Sequence, residues 1–311
     1  MTATTHDAPA RSRRSRLPLG GLLGAQPLGL LLVLPYVLFL AAVMAWPLIQ
    51  AVWISFQDYY FTAPTAVVEH PFVGFENYIS AITDPQVQQS FKNIAVFLVI
   101  NVPLTAILSL VLASALNRIV RFAAVYRVAF YIPYVTASVS LIGVWMLLFS
   151  SGGLVNTILG PLAPDPSWLV NSSLAMPSIA LYVTWKQLGF YILLYLAALQ
   201  GIPKELYESA AMDGAGAVGR FRNVTVPGVR SVTALVLILA IITGANLFTE
   251  PYLLTGGGGP NGASASPVLV MYQKGIQQGQ PGYAAAIGVL LVIGTLILSY
   301  LSNRFAGGDN T

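Results

Sequence analysis

Cysteine is absent from this 311-residue chain, histidine occurs twice, and charged residues make up 8% of it. Each shortage closes off chemistry. Without thiols there is no disulfide framework, thiolate nucleophile or cysteine-bound metal, and His6 and His70 alone cannot furnish a haem or intramembrane zinc site. The charge content is far below the roughly one quarter found in soluble domains. No G-x-x-x-x-G-K-[ST] phosphate loop occurs either, because Gly256 to Gly259 is followed by Pro260 and lacks the lysine. The chain is therefore expected to hold no cofactor or metal, to catalyse no bond change, and to leave any ATP and Mg to another protein.

Apolar residues fill the space, at 56% of the chain and a mean hydropathy of +0.73. Charge-free windows predict six spanning helices near Leu28 to Trp53, Phe91 to Leu116, Arg127 to Phe149, Leu174 to Leu199, Ser231 to Phe248 and Tyr283 to Arg304. At a rise of about 1.5 Å per residue, some 20 residues cross a hydrocarbon core of roughly 30 Å. Backbone groups facing lipid must pair within their own segment, and these runs are too long and uniformly apolar for barrel strands. The predicted fold is an all-α polytopic membrane protein.

Basic residues orient it. Arg11, Arg13, Arg14 and Arg16 precede the first helix, Arg118, Arg121 and Arg127 separate the second from the third, Lys204, Arg220, Arg222 and Arg230 separate the fourth from the fifth, and Arg304 follows the sixth. Both termini and the loop over 201–230 are thus predicted to be cytoplasmic. The resulting layout is a basic tail over 1–16, a transmembrane domain over 17–305 with an external loop over 54–90, and a short tail over 306–311. The first charge-free run is about 40 residues, too long for the 7 to 15 of a secretory signal core, so it is expected to persist as a helix. The external loop's Tyr59, Tyr60, Phe61, Phe72, Phe75 and Tyr78 read as interfacial packing, with docking of an outside protein as a second use. Gly256 to Gly262 reads as a mobile turn.

The cytoplasmic loop is a polar island between two apolar runs. Leu206 to Ala217 has helix-favouring residues, with Pro203 able to occupy an early turn and Glu205 and Glu208 near the positive end of the dipole. At i, i+3, i+4 and i+7, Glu208, Ala211, Met212 and Ala215 would share one face: a carboxylate among small or pliable side chains. Such a face fits a cleft in a cytosolic protein, or lies on the membrane surface as an interfacial helix.

Tyr207 to Pro227 resembles the EAA loop of permease subunits of binding-protein-dependent ABC importers. Glu208, Ala210, Ala211, Asp213, Gly214 and Ala215, then Arg220-Phe221, then Val226-Pro227 carry the likeness, with Gly201 to Leu206 ahead of them. Phe72 to Tyr78, Tyr126-Arg127 through Ile132-Pro133-Tyr134, and Leu254 to Gly257 resemble the carbohydrate-uptake branch related to the larger maltose-importer permease. Ser209 replaces a usual alanine, Gly228 stands where an apolar residue is common, and the external turn has an extra glycine. The resemblance implies a MetI-like permease core in a bacterial-type cytoplasmic membrane. It also implies coupling through Glu208, Ala210, Ala211, Asp213, Gly214, Ala215 and Pro227 to a dimer of cytosolic ATPase subunits. A second, similar permease and an extracytoplasmic solute-binding protein complete the implied assembly; membrane lipid is a further partner, and nucleic acid is not.

A transport path belongs where helices are polar or interrupted near mid-membrane. Tyr134 and Ser138, four apart and so on one helical face, together with Lys186, Gln187 and Asn246, resemble the belt that holds sugar in maltose-type permeases. Hydroxyl-bonding groups beside aromatic faces suit a sugar-like substrate. Interhelical hydrogen bonding by Ser and Thr is the plainer reading of helix three. Lys186 either lines the cavity, where it would favour an acidic substrate group, or pairs with Glu250 or snorkels. The implied activity is import of a sugar or sugar derivative. A permease for glycerol phosphate or amino acids, and a membrane scaffold that transports nothing, are the alternatives.

Overall fold

A computed structural model describes residues 27–61, 69–118 and 122–307, without the side chains of 27–31 and 305–307. The basic tail over 1–16, His6, Arg121 and the last four residues lie outside the described residues. Two compact units divide the chain, Met1–Ala51 and Val52–Thr311.

The first unit carries α1 (Pro27–Leu40), a π-helical turn at Ala41–Ala45, and most of α2 (Trp46–Ile54). With no charge between Leu32 and Ile54, this run is long and apolar enough to cross a membrane. In the second unit follow α3 (Glu76–Thr83), α4 (Pro85–Arg118), α5 (Ala123–Val135), α6 (Ser138–Leu148), α7 (Leu154–Leu159) and α8 (Ala175–Gln200). Then come α9 (Lys204–Met212), α10 (Ala217–Arg220), α11 (Val226–Gly228), α12 (Arg230–Ala245), α13 (Thr249–Leu254), α14 (Pro267–Tyr272) and α15 (Pro281–Gly307). Among the described residues there is no strand, only an isolated bridge between Gln57 and Phe72.

Four helical runs can each span a bilayer unaided: Leu32–Ile54, Pro85–Arg118, Ala175–Gln200 and Pro281–Arg304. These match four of the six predicted helices to within a few residues. Of the other two, the span expected over Arg127 to Phe149 is not continuous, and the one expected over Ser231 to Phe248 is the shorter helix Arg230–Ala245, with a bend ahead of it. Ala123–Val135 and Ser138–Leu148 meet at 94°, and Ala217–Gly228 and Arg230–Ala245 at 70°. The helix expected from Arg127 to Phe149 therefore breaks in two. Thr136 and Ala137 adopt extended backbone there, and the Ile132 carbonyl accepts from both the Thr136 N–H at 3.0 Å and the Thr136 hydroxyl at 2.7 Å.

Packing centres on α4, α8 and α12. One buried cluster joins Ala106, Ala113 and Leu116 of α4, Tyr191, Ile192, Tyr195 and Leu196 of α8, and Val236 and Ala240 of α12. A second sets Phe97 and Leu98 against Ile179, Tyr182 and Val183, with Ile142 of α6 and Leu254 of α13. A third joins Ala81, Val87, Leu269, Val270 and Ile287. Buried polar groups tie the helices where hydrocarbon offers no alternative partner. Asn101 donates to Thr184 Oγ1 at 2.8 Å, and Asn93 donates to the carbonyls of Gly262 and Ala265 at 2.8 and 2.9 Å.

The last contact anchors the glycine-rich turn to α4. Gly257 and Gly259 add backbone bonds to Tyr252 and Thr255, each 3.0 Å. In the external loop, Asn77 donates to the carbonyls of both Ser55 and Gln57 at 2.9 Å, and the ring of Phe56 lies 5.3 Å from that of Tyr78 and 5.5 Å from that of Phe75. The aromatic residues there do pack on one another.

Candidate coupling loop and transport pathway

The loop after α8 owes its shape to Gly214. Helix α9 ends at Met212, with Asp213 as its cap, and Gly214 turns into left-handed backbone at φ +80°. The Ala215 N–H then reaches the Ala210 carbonyl at 2.9 Å and the Gly214 N–H the Ala211 carbonyl at 3.1 Å, the paired bonds of a Schellman turn. The helix expected to reach Ala217 thus stops one and a half turns early, and Ala215 belongs to the turn rather than to the face of Glu208, Ala211 and Met212.

Two sides of α9 differ in consequence. Ala210, Asp213, Gly214, Ala215 and Pro227 line a recess of about 710 Å³ with Leu206 and Ser209. Glu208 and Ala211 lie on the other side, exposed, next to Met212, which is 84% exposed. A bond of 3.1 Å between the hydroxyls of Tyr207 and Thr225 clasps α9 to the π-helical turn Phe221–Thr225. The loop is thus braced from behind while an acidic and apolar face is left uncovered.

Of the residues expected to line a pathway, Tyr134, Ser138 and Lys186 lie around the break between α5 and α6. Gly189 lets the backbones of α5 and α8 touch, since a Cβ there would sit 2.1 Å from the Phe130 carbonyl oxygen. That contact sets Tyr134 of α5 on Phe190 of α8, rings stacked at 5.1 Å. Ser138 opens α6, so Tyr134 and Ser138 occupy two helices rather than one face. The Lys186 ammonium of α8 donates to the Ser138 hydroxyl, and the Tyr182 hydroxyl donates to the Ser138 carbonyl at 3.4 Å. Glu250 of α13 is close enough to feel the Lys186 charge without forming a direct ion pair.

Gln187 is half-buried, with its side-chain carbonyl buried and unpartnered. Asn246, just beyond α12, donates to the Ile242 carbonyl at 2.8 Å and touches none of the other four residues through its hydrogen bonds. An aromatic group escaped the sequence reading: Trp145 lies 5.4 Å from Trp185, 5.3 Å from Tyr182 and 4.8 Å from Phe149, with a buried indole N–H that has no partner. The spacings Trp145/Phe149 and Tyr182/Trp185, one helical turn each, were the available signal.

Where α3 meets α4, Lys274 pairs with Asp84 at 3.4 Å, and the Tyr283 hydroxyl donates to the same carboxylate oxygen at 3.0 Å. Burial pushes the Asp84 carboxyl up. The Gln86 N–H, the Tyr283 hydroxyl and the Lys274 ammonium outweigh it and hold the group below the ordinary 3.8.

Comparison with known proteins places these features in context. The sequence profile for the binding-protein-dependent transport system inner membrane component matches residues 29–306. The arabinooligosaccharides transport system permease protein AraP of Halalkalibacterium halodurans is 32% identical over 286 residues, covering 89% of this chain and 88% of that protein. The sn-glycerol-3-phosphate transport system permease protein UgpA of Yersinia pestis is 32% identical over 277 residues, covering 88% and 92%. The crystal structure of a bacterial ABC transporter involved in the import of the acidic polysaccharide alginate superposes with a TM-score of 0.75 over 94% of this chain and 99% of that one, at 20% identity. That likeness establishes the shared fold.

Proposed function

The chain belongs to the family of binding-protein-dependent transport inner membrane components, and from that premise we propose that it is a permease subunit importing a sugar or sugar derivative. The observation that carries the proposal is the coupling loop: a short helix stopped by Gly214, clasped by Tyr207, and presenting Glu208 and Met212 to a partner. In this reading the partner is one of two cytosolic ATPase subunits, the loop lies in the cytoplasm with both termini, and a second permease supplies the other loop. Helix α12 has 16 residues, about 24 Å of rise, short of the roughly 30 Å core, so each bent pair would serve as one crossing to give six.

Sugar is favoured by the company Lys186 and Ser138 keep. An aromatic cluster beside hydrogen-bonding groups offers stacking for a pyranose face and partners for its hydroxyls. Related permeases for arabinooligosaccharides are as similar as one for glycerol phosphate. A phosphorylated substrate is the second reading, favoured by the Lys186 ammonium, although Ser138 and Glu250 already engage its charge.

The test is a Glu208→Lys variant of the intact complex, comparing solute-stimulated ATP hydrolysis and uptake with membrane insertion. Insertion should persist while stimulation is lost. Normal uptake by this variant contradicts the coupling role. Screening oligosaccharides against glycerol phosphate for stimulation of the wild-type complex separates the two substrate readings.

A further inference from the structure

The cytoplasmic end of α4 carries a groove that the transport reading leaves unused. About 310 Å³ in volume, it is lined by Val111, Ser114, Ala115 and Arg118 of α4 and by Val218 and Phe221 of the second half of the coupling loop. Its walls are hydrocarbon except at one end, where Arg118, the last residue of α4, is exposed and has no hydrogen bond or ion pair to the described residues. Inside, the Ser114 hydroxyl oxygen is shielded from solvent and also lacks a partner. Val218 is 80% exposed.

We propose that this groove binds one anionic phospholipid, its phosphate held by Arg118 and its upper acyl chain lying along Val111, Ala115, Val218 and Phe221. Arg118 ends a 34-residue apolar helix, the position where a spanning helix meets the headgroups. A guanidinium there presents a planar fork that matches phosphate. Ser114 is one turn back on the same face of α4 and adds a small side chain to the groove wall. Arg220 and Arg222 flank Phe221 and add positive charge along the chain at this point. A zwitterionic lipid would satisfy the hydrocarbon walls but gain less at Arg118.

The consequence is regulatory. The lipid would bridge α4 to α10, which begins at Ala217, three residues after Gly214. Membrane composition would then bear on how firmly the coupling loop is held. This goes beyond the transport assignment and does not depend on which solute is carried.

Photoactivatable phosphatidylglycerol and phosphatidylcholine, each with a diazirine on the acyl chain, test it on the purified full complex, with adducts mapped to peptides. Labelling of 111–118 and 217–221 should be about fivefold higher with phosphatidylglycerol, the preference a basic residue near the surface confers. Arg118→Gln should lower that yield to the phosphatidylcholine level. Val218→Trp, which fills the groove and keeps Arg118, should lower labelling by both lipids. Excess glycerol 1-phosphate should not compete, because the acyl contacts are required. Equal labelling of the wild type by the two lipids, a preference that survives Arg118→Gln, or displacement by the free headgroup would each overturn the proposal. So would a photocrosslinker at Val218 that captures a protein subunit instead of lipid. Should a variant fail to assemble, the wild-type comparison of the two lipids decides alone.

Discussion

Replacing Gly214 with alanine perturbs the coupling loop at one dihedral angle and nowhere else. A Cβ at Gly214 meets nothing within 4 Å, so the substitution creates no collision, but the φ of +80° is one that side-chain-bearing residues avoid. Left-handed backbone costs an L-residue about 1–2 kcal/mol, which lowers the population of the turn by about 5- to 30-fold. The two bonds that close it, Ala215 to Ala210 and Gly214 to Ala211, would open together. Asparagine tolerates this conformation better, so Gly214→Asn should fall between wild type and alanine. Gly216 is the internal control: it also has open space around its Cβ position, and its φ is −67°, so Gly216→Ala should be silent. Solute-stimulated ATP hydrolysis and uptake by the reconstituted complex should decline in the order Gly216→Ala, Gly214→Asn, Gly214→Ala, with helix content unchanged. Full activity of Gly214→Ala, or equal damage from Gly216→Ala, would refute the reasoning.

Further outcomes follow from the same geometry. Lys186→Met removes a charged hydrogen bond worth about 1.5–3 kcal/mol and should raise the KM for uptake at least tenfold. Ser138→Ala should show part of the effect, with non-additivity in the double variant because the two side chains bond α8 to α6. Asp84, held below 3.8 in the folded protein, contributes stability that is fully present above 3.8 and is lost as pH falls through its lowered value. The gap in Tm between wild type and Asp84→Asn should therefore be widest near neutral pH and close in strong acid.

Much of this architecture was legible because hydrocarbon imposes a simple rule on sequence. Four spans could be read from charge-free runs alone, although α4 begins at Pro85 rather than at the expected Phe91, and α9 ends at Met212 where helix-favouring residues pointed on to Ala217. The break after Val135 was harder. The chain departs from helix after Val135, where the Thr136 N–H and hydroxyl both close on the Ile132 carbonyl, and a charge-free run says nothing of that. Reading Arg127 to Phe149 as one continuous helix put Tyr134 and Ser138 on one face when they belong to two helices. The aromatic group around Trp145 was missed for a different reason. Its members come from α6 and α8, about 40 residues apart in sequence, and only the folded packing of those two helices brings them together. Asn246 was singled out by position alone, and the bond its side chain makes is to the end of its own helix.

The most direct test of the account is a photocrosslinker placed at Met212 in the intact complex within cells. The coupling assignment predicts a covalent adduct with the cytosolic ATPase subunit, lost in Gly214→Ala. Adducts with lipid alone, or labelling of position 212 by a membrane-impermeant reagent added from outside, would contradict it.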